Sequence, residues 1–169
     1  MSSHWPPRSL ATLRISLDTL AEAVAAGRAE RTDDEQIWLT RFLVVRTCGY
    51  LEQVVHETIR GYIHEKSGGL VRSFAHSWIE RSRNPSPDNM LDLVGRLDGS
   101  LAGELQEVLD ADDQYLRREI SLLVDRRHKI AHGLNEGMNS QKAVSLKAAA
   151  EKVGEWFVVE LNPDKSRKR

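Results

Sequence analysis

Apolar residues recur at intervals of three and four along most of this chain, the spacing of one helix face rather than of a strand. Leu10, Leu13, Leu17, Leu20 and Val24 form the first such stripe, with Ser9 placed to cap it and Gly27 to end it. Asp33 and Asp34 open a second, long helix that runs to about Lys66 and stops at Ser67-Gly68-Gly69. It carries Trp38, Phe42, Val45, Cys48, Val55, Ile59 and Ile63 on one side. Leu39, Leu43, Val44, Tyr50, Leu51 and Val54 widen the stripe, so this helix is expected to pack on more than one neighbour. One carboxylate interrupts the apolar side: Glu52 projects among Val45, Cys48, Val55 and Ile59.

A third helix is expected over Leu70–Arg81, ahead of a break at Arg83-Asn84-Pro85-Ser86-Pro87-Asp88. Residues 88–99 read as a short helix with Met90, Leu91, Leu93, Val94 and Leu97 as its apolar positions and Gly99 as its end. The stretch Glu104–Asp113 holds five carboxylates and no cation; it reads as a helical turn leading into the next helix. That helix runs from about Asp112 to His132 on Leu116, Ile120, Leu123, Val124 and Ile130. Asp112 and Asp113 at its start and Arg126, Arg127 and Lys129 at its end complement the helix dipole. A last helix uses Val144, Leu146, Ala149, Val153, Trp156 and Phe157. Pro163 and the tail Lys165-Ser-Arg-Lys-Arg169 follow. With no repeat and no convincing strand, the fold class is all-α, a helical bundle. The domain boundaries read as an N-terminal helix and linker (1–34), the bundle (35–161) and a basic tail (162–169).

At 169 residues the chain can bury a core. A net charge of −1 excludes nucleic-acid binding by bulk basicity, so any such contact must come from a local patch. The single cysteine, Cys48, excludes an internal disulfide. With no apolar signal core or membrane-length run, this points to a cytoplasmic protein that does not enter a membrane. His4, His64 and His76 lack companions at ligand spacing, so neither metal nor cofactor is expected.

The candidate chemistry lies at residues 126–133, where two arginines, a lysine and two histidines crowd a helix end closed by glycine. A cationic helix C-terminus needs no function in itself. Arg127, however, shares a stripe with Leu116, Ile120 and Leu123, so it is expected to point toward the interior or toward a subunit interface, where a bare charge is costly. Two partners fit: Glu52, as a buried pair, or an anionic ligand such as a phosphate. His132 can exchange a proton near neutrality. On a regular helix it lies about 140° around from Arg127. The two converge only if the helix turns or frays at Ile130–His132, or if the second half of the site comes from another subunit.

An arginine, a polar residue, three further residues and a histidine at a helix end resemble the motif of the HEPN superfamily. Here the motif reads Arg127-His128-Lys129-Ile130-Ala131-His132. The run from Leu122 to Gly133, with Ile-Ala-His-Gly after the arginine, and Tyr50-Leu51-Glu52 on an early long helix are similar to the RiboL-PSP-like branch. The resemblance spans about residues 35–160. It implies a metal-independent endoribonuclease working as a homodimer on RNA, a toxin or phage-defence effector with an inhibitor or antitoxin protein as a further partner. Arg127 and His132 would be catalytic, with His128 and Glu52 supporting them. Arg126 and Lys129 are added as flanking phosphate contacts to RNA. The branch paired with a nucleotidyltransferase antitoxin has a tyrosine two residues after the histidine, where this chain has Leu134, so tyrosine modification there is not expected.

Two other readings stand beside this one: a non-catalytic module binding RNA, nucleotide or protein through the same cleft, and a structural dimerisation domain built on an Arg127–Glu52 pair. His56, one turn after Glu52, is a candidate for a polar cluster. Trp38, Trp78 and Trp156 read as core or interface anchors, and the basic tail as solvated.

Overall fold

The capping box that opens the longest helix shows how local signals set this architecture. Thr32 Oγ1 accepts the Glu35 N–H at 3.3 Å, and Glu35 Oε2 accepts the Thr32 N–H at 2.7 Å. The computed structural model describes residues 5–27, 31–79, 84–134 and 137–165. These form six helices and no strand: α1 (Arg8–Ala25), α2 (Asp33–Lys66), α3 (Gly69–Ile79), α4 (Pro87–Gly95), α5 (Gly99–Ala131) and α6 (Ser140–Glu160). The all-α expectation holds.

At 34 residues α2 is the axis, packing on α1, α3, α5 and α6. Its Leu43, Val44, Leu51, Val54 and Ile59 are sealed in a core with Ile120 and Leu123 of α5 and with Leu146, Val153 and Phe157 of α6.

Buried polar side chains also tie elements together. Gln36 Nε2 donates to Val24 O at 3.0 Å and to Ser140 Oγ at 2.8 Å, tying the end of α1 and the start of α6 to α2. A charged clamp joins α1 to α6: Lys147 sits between Asp18 and Glu151, and Arg14 Nε meets Glu151 at 2.8 Å. Burial alone would lower the Lys147 pKa, but its bonds to the two carboxylates outweigh that and raise it. The same lysine holds Asp18 below the usual carboxylate range.

Three expectations are corrected. Trp38 and Trp78 are not core residues: they are 65% and 52% exposed, with the Arg41 and Arg96 guanidiniums over their rings at 5.2 and 5.1 Å. The neighbours of α2 cover the side carrying Leu43 and Leu51, and Trp38 lies around the helix from it. Gly99 does not end α4 but begins α5, because the Asp98 carboxylate accepts the Ser100 and Leu101 N–H groups at 2.8 and 3.4 Å and caps a new helix. The acidic stretch is helical through Asp110, and the break falls at Ala111–Gln114, where Asp112, Asp113 and Gln114 take φ of +50°, +56° and +59°. Asp112 and Asp113 therefore do not form a regular first turn. Three left-handed residues cost about 1–2 kcal/mol each. Arg117 spans the break, donating from Nε to Asp110 at 2.5 Å and holding that carboxyl below its usual range. The expected third helix ends at Ile79; residues 80 and 81 lie outside the described residues, as do His4 and the basic tail beyond Lys165.

Candidate functional site

The second half of α5 presents residues 126–133. Leu116, Ile120 and Leu123 bury its inner face, and the helix stays regular through Ala131. Gly133, at φ +72°, then allows a two-bond closure: its N–H reaches Ile130 O at 3.1 Å, and the Leu134 N–H reaches Lys129 O at 3.0 Å. This closure holds Ile130 and Ala131 in the helix. The turn that would have brought His132 toward Arg127 does not form within one chain, and the two side chains stay about 140° apart.

Arg127 is exposed, not buried. Among the described residues it makes no ion pair, so the expected pair with Glu52 is absent. The stripe shared with Leu116 and Leu123 leaves the packed core before it reaches Arg127, so the guanidinium opens into a cleft instead. Glu52 is half-buried nearby. Burial pushes the Cys48 thiol up to about 11, while the Arg127 charge pulls it down and the Glu52 charge pushes it up. Both charges therefore act at one α2–α5 junction.

Arg127 opens into a cleft of about 720 Å³, lined by Ser9, Thr12, Leu13 and Leu17 of α1, by Val45, Arg46, Gly49, Tyr50 and Gln53 of α2, and by Arg127. Arg46 was missed by sequence reasoning. The available signal was its spacing: Gly49, Tyr50 and Gln53 follow Arg46 by three, four and seven residues, on one helix face.

The histidines lie on another side. The His128 and His132 rings pack together at a tilt, with centroids 4.3 Å apart, and His128 opens on a groove lined by Asn84, Asp88, Arg117 and Asp125. Lys129 Nζ pairs with Asp125 at 3.2 Å along its own helix, and Arg126 is half-buried. His56 faces a separate small cavity with Arg60 and His76. Among the described residues no three of His, Cys, Asp and Glu group as a metal site requires. No described helix is long and apolar enough to cross a membrane.

No curated protein and no solved structure matches this chain. The profile of the RiboL-PSP-HEPN family matches residues 12–158, which takes in most of α1 as well as the motif helix. The chain belongs to the RiboL-PSP-HEPN family.

Proposed function

We propose that this protein is an endoribonuclease that cleaves RNA without a metal ion. His132 takes the proton from a ribose 2′-hydroxyl, whose oxygen attacks the adjacent phosphorus. The P–O5′ bond breaks, and the leaving oxygen takes up a proton. The products are a 2′,3′-cyclic phosphate and a 5′-hydroxyl. Arg127 stabilises the charge that builds on the phosphate oxygens, and His128, packed against His132, orients the imidazole. Since one chain holds Arg127 and His132 on different sides, the working site draws on two copies related by a two-fold axis. A toxin or phage-defence effector, restrained by an antitoxin protein, is the setting such an activity fits.

The observation that carries this reading is an exposed arginine and an exposed histidine at one glycine-closed helix end in a chain of this family. The test is cleavage of a labelled RNA by the wild type, Arg127→Ala and His132→Ala, with folding checked by circular dichroism. Each substitution should lower cleavage about a hundredfold or more with the fold retained, EDTA should change nothing, and the product ends should be cyclic phosphates. Cleavage near the wild-type rate in both variants refutes the proposal. A second reading, a binding module without cleavage, draws on the cleft that Arg127 enters without His132. It requires RNA binding that depends on Arg127 and no product from the wild type.

A further inference from the structure

The cleft between α1, α2 and α5 differs in charge from the groove beside His128 and from the one between α1 and α6. The chain balances 24 basic against 25 acidic residues, yet two guanidiniums, Arg46 and Arg127, line this cleft with no carboxylate. The groove beside His128 carries Asp88 and Asp125, and the one between α1 and α6 carries Asp18, Glu22 and Glu151. Arg46 and Arg127 are both exposed, and neither forms an ion pair with a described residue. Two cations lining one partly apolar wall attract an anion more strongly than either would alone.

The rest of the lining is apolar or uncharged, and includes Thr12, Leu13, Leu17, Val45, the Tyr50 ring and Gln53. Tyr50 is 8% exposed, so its ring is held in this wall by the surrounding core. Ser9, in the first turn of α1, also faces the cleft, and that helix start has no side-chain cap. Its positive end adds to the same field. At about 720 Å³ the volume lies within the roughly 300–1,000 Å³ of small-ligand sites. A bare phosphate would leave the apolar wall unused.

We propose that this cleft seats one nucleotide unit, its phosphate held by Arg46 and Arg127 and its base laid against Leu13, Val45 and Tyr50. As the subsite of an RNA substrate, this rests on the ribonuclease reading, with Arg46 as a positioning residue on the phosphate that Arg127 contacts. A free nucleoside monophosphate offers the same chemistry. Gly49 supplies a steric probe, because a Cβ there meets nothing within 4 Å and a longer side chain would extend into the cleft. Leucine also suits a helix better than glycine, so Gly49→Leu should fill the cleft without loss of fold.

The experiment is calorimetric titration of His132→Ala protein, which leaves RNA intact under the ribonuclease reading. The ligands are the four nucleoside 5′-monophosphates, inorganic phosphate and a short single-stranded RNA. A monophosphate should bind more tightly than phosphate. Adding Arg46→Ala should weaken it about tenfold or more, as expected for one lost charge-assisted contact. Adding Gly49→Leu should abolish binding while the melting temperature is kept or raised. RNA that displaces the monophosphate assigns the cleft to the substrate chain, whereas RNA that leaves it bound overturns the subsite and leaves free nucleotide as the ligand. No monophosphate binding at millimolar concentration, or binding unchanged by Gly49→Leu, overturns the proposal. Binding as described without cleavage by the wild type sinks only the ribonuclease reading. Cleavage without monophosphate binding sinks only this one.

Discussion

Mixing two inactive variants tests whether the site is shared between copies. The closure bonds of 3.1 and 3.0 Å keep α5 helical past Ile130, so Arg127 and His132 leave the helix about 140° apart. Replacing Arg127 by alanine removes a charge-stabilising donor, and cleavage should fall about 10²–10³-fold. Replacing His132 removes the proton carrier, for about 10²–10⁴-fold. In an equimolar mixture with free exchange, half the dimers are mixed, and each holds one site with both residues intact. Activity should therefore return to about a quarter of wild type, far above either variant alone. The assay is a fluorogenic RNA substrate, with mixed dimers counted by native mass spectrometry. Mixed dimers that stay as inactive as the single variants would refute the shared site, and so would a chain that cleaves as a monomer.

Other outcomes follow from the packing and charges. Leu123→Ala, at a fully buried position one turn before Arg127, should cost about 2–5 kcal/mol; at about 2–4 °C per kcal/mol for this size, a melting scan will register it. Lys147→Ala leaves Glu151 and the more exposed Asp18 sharing Arg14 as their remaining cation. It should cost about 1–3 kcal/mol, less than a fully orphaned buried charge and discounted for solvent at Asp18, and denaturant titration with Lys147→Met as a partial rescue checks it. Asp18 and Asp110 have lowered folded pKa values, so their contribution is present above the unfolded carboxylate pKa of about 4 and is lost as pH falls through the lowered values. Melting temperature should drop below about pH 4, and Arg117→Ala should flatten part of that drop. Cys48, buried with its thiol pushed up to about 11, should react with a disulfide reagent only on unfolding; rapid labelling of the native protein would contradict its placement.

Much of this molecule was legible in the sequence because helices are local. Leu10, Leu17 and Val24 reveal a face by spacing alone, and Asp33 and Asp34 mark the start of the second helix. The motif and its glycine stop were legible for the same reason, since the bonds of Gly133 and Leu134 reach back only a few residues. Where two local signals competed, the sequence reading chose wrongly: Gly99 marked an end, but the Asp98 carboxylate made it a beginning. The exposure of Arg127, the absence of its pair with Glu52, the arrival of Arg46 beside it, and the Lys147 clamp were decided by tertiary structure alone. Each depends on how α1, α5 and α6 settle around α2, where side chains far apart in sequence meet and periodicity carries no information about which of them do.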